Sequence, residues 1–337
     1  MSNLVCRIFN LYGAVTYCSI VLAMICSTSW VTPLAASPAQ KARLFCVLVP
    51  HFKDEYWLSV GYGLEQEAAR QNVDLLLYEA GGYNALAEQI KLLDQCVKRG
   101  VDAILIGAVS SNHPDLLQAI NRVAQKLPVI GLVNELHSDA LSGRIGVDWK
   151  EMGFVLGRYL SELHPKGTPP KTAVLISGPR AAGWTGPLEA GLREGLSVSS
   201  VTIAEVFSAD TGLRQQLALV EMALEKHPEA DYLIGSAPAV EAAIGLLVAN
   251  KDQHSPKLLS TYISHTVLRS LMNDNVLAAS FDDPTQQGVL AIQQAVRVNK
   301  SARSAEAVGP EIVLLTKANH GLQKASVSPA DYFPAIE

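Results

Sequence analysis

The sequence predicts an α/β protein of two lobes, each lobe a parallel sheet flanked by helices. Three observations lead there. Past residue 42, apolar runs and amphipathic helices alternate about ten times. The runs are continuously apolar, as in "DAILIGAV" at 102–109, which suits strands buried on both faces. The alternation breaks once, at the Pro- and Gly-rich link "HPKGTPPK" (164–171), and then starts again. A barrel would be expected to have about eight units, so two sheets of about five strands fit this count better.

In chain order, strands are expected near 43–50, 73–78, 102–107, 128–133 and 143–147. Leu86, Ile90, Leu93 and Val97 recur at helical spacing, and Gly100 then stops that helix. Leu116, Ile120 and Val123 repeat the pattern. A longer helix at 150–163 leads into the link. Strands follow near 172–177, 201–207, 231–235, 257–262 and 276–281, with Leu213, Leu217, Val220 and Leu224 marking a helix between two of them. Parallel strands joined by such helices imply right-handed crossovers. The tail "YFPAIE" (332–337) is expected to be surface or disordered.

The first segment reads separately. Arg7 precedes an apolar stretch, Leu11 to Leu34, that ends in "TPLAASPAQ". A basic start, an apolar middle and small residues describe a secretory signal over 1–36, cut near Ala36 or Ser37. The rival is an uncleaved anchor. A lipoprotein site at Cys26 is disfavoured by the bulky Met24 and Ile25. After Gln40 no apolar run approaches membrane-spanning length. Of five cysteines, Cys6, Cys18 and Cys26 fall in the leader, leaving Cys46 and Cys96 in the body. In an oxidising compartment these two are expected to pair. Cys46 is on the first strand and Cys96 on the helix after the second; the alternative is two small buried thiols. The net charge is −5 and no basic stripe is present, which argues against nucleic acid as a partner.

Open parallel sheets bind ligands outside the carboxyl ends of their strands. After the first strand come Asp54, Tyr56 and Trp57; after the second, "EAGGY" with Tyr83; after the third, "SSNH". After the fifth comes "GVDWK" with Trp149, and after the sixth "SGPRAAGW" with Trp184. After the ninth comes "TYISH" with Tyr262 and His265, and after the tenth "SFDDP" with Asp282 and Asp283. Any one of these aromatics alone reads as a packing residue. In a chain with only 6% aromatics, six on one edge read as a binding wall. Such rings attract methylated ammonium groups, at about 0.5–2 kcal/mol per face. Sugars also stack on rings, and Asn112, Asn134, Arg180 and several Asp could meet hydroxyls, so chemistry alone leaves both open.

Catalytic patterns are absent from the sequence. "YGLEQE" falls inside a helix and makes no phosphate loop, and Ser177 lacks the glycine two residues before it that a nucleophile elbow needs. The eight His show no metal spacing. His51 and His265 read as surface or cleft hydrogen-bonding residues. Asp282 and Asp283 are adjacent and point apart, as helix caps do. No enzyme, cofactor or metal is expected.

"YWLSVGYGLEQEAARQNVDLLLYEAGGYNALAEQIKLLDQC" (56–96), "RIGVDWKEMGFVLGRYL" (144–160) and "TYISH" (261–265) carry a resemblance. Over residues 42–300 the chain resembles type I periplasmic binding proteins, in particular those of trimethylamine N-oxide respiration. The resemblance implies a periplasmic protein that binds trimethylamine N-oxide and presents it to the periplasmic sensor domain of a membrane histidine kinase. It implies crossings between lobes near 148–150, 282–285 and 308–311. One lobe then combines 42–148 with 285–308, the other 149–284 with 309–330. It implies a ligand box at Trp57, Tyr83, Trp149 and Tyr262, with Asp54 nearby; Tyr56 and Trp184 join from the strand-end reading. "FDDPTQQGVL" (281–290) departs from the family pattern at a lobe crossing. The alternative function is solute delivery to an ABC transporter, for a sugar or a quaternary amine.

Overall fold

A computed structural model describes residues 42–249, 255–298, 307–318, 320–323 and 325–337. The expected leader, 1–36, lies outside the described residues.

The first sheet holds β1 (Arg43–Val49), β2 (Val73–Glu79), β3 (Ala103–Ile106), β4 (Val129–Leu132) and β5 (Gly143–Ile145), in the order β2-β1-β3-β4-β5. All its pairings are parallel. Helices α1 (Glu55–Gln71), α2 (Leu86–Lys98) and α3 (Pro114–Ala124) connect the strands. Alternate residues of β1 divide between the two faces. Phe45, Val47 and Val49 join the core that includes Val60 and Leu64 of α1, while Cys46 and Leu48 join Leu93 of α2 and Leu116 of α3. Both faces are therefore covered, which is why the strands read as unbroken apolar runs.

The second sheet holds β6 (Lys171–Ser177), β7 (Val201–Ser208), β8 (Tyr232–Gly235), β9 (Lys257–Ser260), β10 (Ala278–Phe281) and β11 (Val313–Leu315), in the order β11-β10-β9-β8-β6-β7. Its helices are α4 (Trp149–Leu163), α5 (Thr185–Gly195), α6 (Leu213–Lys226), α7 (Ala237–Ala249) and α8 (His265–Met272). A last helix, α9 (Pro284–Arg297), leaves β10 but packs against α1 and the first sheet.

Each of the ten expected strands has a counterpart. β11 is an addition: it is three residues long and runs antiparallel to β10 at the sheet edge, too short to carry a periodic signal. The tail lies on the surface, as expected, but is tied to the first sheet rather than loose. Ser328 N donates to Ser59 Oγ at 3.1 Å, and Glu337 N donates to Leu77 O at 2.9 Å. The first contact is to helix α1, and the second gives a partner to the open edge of β2. Cys46 and Cys96 form a disulfide with Cα atoms 6.0 Å apart, between β1 and α2. Among the described residues no helix is long and apolar enough to cross a membrane.

In both sheets the strand order reverses once, between β1 and β3 and between β6 and β8. A crevice outside the carboxyl ends is expected at each reversal.

Candidate functional site

The two crevices meet in one cavity. It is lined by Asp54, Tyr56, Trp57, Tyr83, Trp149, Trp184 and Tyr262, together with Val133, Asn134 and Thr211. All seven residues singled out in the sequence for ligand binding are thus brought together. Asn134 joins them; Asn112 and Arg180 are exposed and stand outside the lining.

Local chemistry explains the placement. Asp54 caps α1, its Oδ1 accepting from Tyr56 N at 3.1 Å. The cap fixes the start of the helix, and Tyr56 and Trp57 occupy its first turn. Trp149 opens α4 behind the capping Asp148, and Trp184 precedes α5. The rings then pack edge to face or tilted. Centroids are 5.3 Å apart for Tyr56–Tyr262, 5.5 Å for Trp149–Trp184, 5.8 Å for Trp184–Tyr262 and 6.4 Å for Tyr56–Trp149. Two glycines serve as floors. A Cβ on Gly107, just past β3, would come within 2.4 Å of the Trp57 indole, and one on Gly178, just past β6, within 2.2 Å of Trp184. The indoles lie flush on backbone that admits no side chain. The space between the rings amounts to ≈ 240 Å³ counting the part open to solvent, of which ≈ 10 Å³ admits the centre of a water molecule.

Most polar atoms of the cage are already engaged. Tyr262 Oη donates to Asp54 Oδ2 at 2.6 Å. Tyr56 Oη donates to Asp282 Oδ2 at 2.7 Å, and Trp149 Nε1 donates to the Val133 carbonyl at 3.1 Å. Tyr83 differs. Its hydroxyl oxygen accepts from Asn134 Nδ2 at 3.2 Å. Among the described residues no acceptor takes the Tyr83 hydroxyl's own proton. Burial pushes this phenol well above its ordinary range, so it stays protonated. Burial also raises the Asp54 carboxyl, against the opposing hydrogen bond from Tyr262.

The acidic pair after β10 divides in role. Asp283 caps α9 as expected, its Oδ1 accepting from Gln286 N at 3.0 Å. Asp282 does not cap. It is fully buried, takes Tyr56 Oη and Gln287 Nε2 (2.8 Å) on Oδ2, and is pushed up to about 6 by burial. Adjacent side chains diverge, and the left-handed backbone of Asp283 (φ 42°) turns its own carboxylate outward to the helix start.

Both histidines make hydrogen bonds, and neither lines the cavity. His265 Nε2 is 2.6 Å from the Ser328 carbonyl and Nδ1 is 3.5 Å from Glu55. The Glu55 carboxylate holds the His265 imidazole above its ordinary value. His51 Nε2 is 3.1 Å from Asp210 Oδ1 and 3.2 Å from Thr211 Oγ1. Asp210 and Thr211 follow β7 in "SADTG", a strand end that carries no aromatic and gave no signal in the sequence. The strand-end rule itself points to them.

A family described as "Periplasmic binding proteins and sugar binding domain of LacI family" matches residues 42–333, and the chain belongs to that family. It is 38% identical to periplasmic protein TorT of Escherichia coli strain K12 over 307 residues, spanning 90% of this chain and 86% of that one. Its structure is similar to the crystal structure of the TorS sensor domain–TorT complex in the presence of TMAO: 35% identity, TM-score 0.74, covering 88% of this chain and 100% of that chain. It is also similar to an ABC transporter solute-binding protein from Bradyrhizobium sp. BTAi1 with bound Bis-Tris: 34% identity, TM-score 0.73, covering 89% and 90% of the two chains. The family is one of binding proteins.

Proposed function

We propose that this protein, exported to the periplasm by its leader, binds trimethylamine N-oxide in the aromatic cage between its lobes and signals to the sensor domain of a TorS-like histidine kinase. One observation carries the reading. The cage presents ring faces on several sides and a single uncommitted phenol proton, that of Tyr83. Three methyls on a positively charged nitrogen suit the faces. The oxide oxygen, a strong acceptor, takes the Tyr83 proton. Asp54 holds the Tyr262 ring in place through its hydroxyl. The likeness to TorT supports the kinase as partner.

A sugar fits less well. Its hydroxyls need several free donors and acceptors, whereas the tyrosine hydroxyls of Tyr56 and Tyr262 and the Trp149 N–H are already bonded within the protein. The lobes of this reading are 42–148 with 285–308 and 149–284 with 309–330. The packing of α9 on α1 and the pairing of β11 with β10 support that division, and the bond from Glu337 N to Leu77 O brings the last residue back to the first lobe. Closure on ligand alters the surface that the kinase reads, to the extent that the ligand binds the closed state better.

Calorimetry tests the ligand. Wild type is expected to bind trimethylamine N-oxide in preference to choline, betaine and arabinose. Trp57→Ala and Tyr262→Ala are each expected to weaken binding by about ten- to a hundredfold. Affinities within twofold of wild type in both variants would remove the cage. The Bradyrhizobium relative supports a second reading, delivery of a small amine to an ABC transporter. Binding to a purified kinase sensor domain separates the two: the transporter reading expects none.

A further inference from the structure

One side chain outside the cage lining joins loops of the two sheets. Asp210 follows β7 on the second sheet. Its Oδ1 meets His51 Nε2 at 3.1 Å, and its Oδ2 accepts the backbone N–H of Tyr83 at 2.9 Å. His51 follows β1 and Tyr83 follows β2, so one carboxylate of the second lobe holds two loops of the first. Thr211, its neighbour, adds a contact from Oγ1 to His51 Nε2 at 3.2 Å. His51 is 1% exposed, and its ring stands edge-on to the Tyr83 ring at 5.9 Å. The approach is close enough to dictate sequence. Gly82 has φ +147°, and a Cβ there would lie 2.6 Å from Asp210 Oδ2.

From this geometry we infer that Asp210 is a positioning residue that latches the lobes shut and, by the same bonds, sets the Tyr83 hydroxyl where it meets the ligand's oxygen. The bonds span the two lobes, so they exist only while the lobes are together. Opening removes the acceptor from the Tyr83 backbone and from His51 in one step. A ligand oxygen that needs Tyr83 in place therefore favours the shut state, and the shut state raises affinity in return. The Asp210 carboxyl suits the part: although burial pushes it up, His51 and the Tyr83 amide hold it below the ordinary range, so it stays an acceptor.

This rests on the proposed ligand, and the experiment separates the two. Trimethylamine N-oxide is titrated calorimetrically into wild type, Asp210→Ala, Tyr83→Phe and the double variant. Asp210→Ala is expected to weaken binding by about ten- to a hundredfold. In the Tyr83→Phe background the same change is expected to cost less than about threefold, because the proton it positions is gone. A loss within twofold of wild type overturns the latch, and so does an equal loss in both backgrounds, which a merely structural role would give. Where Asp210→Ala shows no cooperative unfolding, Asp210→Asn takes its place under the same criteria. Where wild type itself takes up no trimethylamine N-oxide, the ligand reading falls. The latch is then judged by X-ray scattering of ligand-free protein: Asp210→Ala is expected to be less compact than wild type, and equal radii of gyration overturn it.

Discussion

Replacing both Cys46 and Cys96 by alanine is expected to lower the free energy of unfolding by about 4 kcal/mol, the entropy of closing a loop of this length. The two residues are 50 apart in sequence, and the bridge joins β1, an interior strand of the first sheet, to α2 on one of its faces. Without it the unfolded chain gains all the conformations that the closed loop forbids. Both residues are 0% exposed and sit in the core on the side of the sheet with Leu48, Ile104 and Leu116. A reductant should therefore reach the bridge only after the lobe unfolds. Native protein in dithiothreitol is expected to keep its fold, while denaturation in the same buffer shifts to lower denaturant. The cage lies at the carboxyl ends of the strands and touches neither cysteine. Ligand affinity in the double variant is thus expected to match wild type. Equilibrium unfolding in urea decides the matter: a loss under about 1 kcal/mol would show that the bridge contributes little to the folded state.

The fold was legible because both sheets are covered on both faces. Strands so placed are continuous apolar runs, and their ends are marked by the polar residues that leave the core. That is why expected and observed strands agree within a few residues for β1 to β10. β11 has no such signal, since its three residues lie at an edge and pair with a strand more than thirty positions earlier. The tail was legible as surface but not as attached, because its bonds run to Ser59 and Leu77, far back in the chain.

The cage followed from one topological rule and the scarcity of aromatics. What the rule does not supply is which hydroxyl is free. Tyr56, Tyr83 and Tyr262 look alike in sequence. Their difference arises from Asp282, Asn134 and Asp54, partners 226, 51 and 208 residues away. Asp210 escaped for a related reason: its partners are 159 and 127 residues distant and only folding brings them together. Asp282 and Asp283 show the same limit in two adjacent residues. A carboxylate before a helix is a cap by default, and only the buried Tyr56 hydroxyl shows that Asp282 has another role.

Asp282 is expected to make the stability of the fold depend on pH. Its folded value is pushed up to about 6 from an ordinary 3.8 by burial, against the bonds from Tyr56 and Gln287. Between pH 4 and 6 the folded protein keeps a proton that the unfolded chain has released, so stability contributed by this group falls as pH rises through that window. Above about pH 6 the cost is complete, and a difference of about two pKa units corresponds to about 3 kcal/mol. The geometry agrees with the direction: Oδ2 takes both donors, while Oδ1 is buried with no hydrogen-bond partner among the described residues. An ionised carboxylate there leaves charge on an atom that nothing solvates. Asp282→Asn keeps an oxygen for Tyr56 and Gln287 and carries no charge. It is expected to unfold at higher urea than wild type at pH 8, with the gap closing as pH falls towards 4. Parallel stability curves for the two proteins across that range would mean that Asp282 is neutral at pH 8 or stabilised by contacts other than these. The same carboxylate receives the Tyr56 hydroxyl, so the stability it costs is linked to holding one wall of the cage, and Asp282→Asn should leave that wall in place while removing this group's share of the pH dependence.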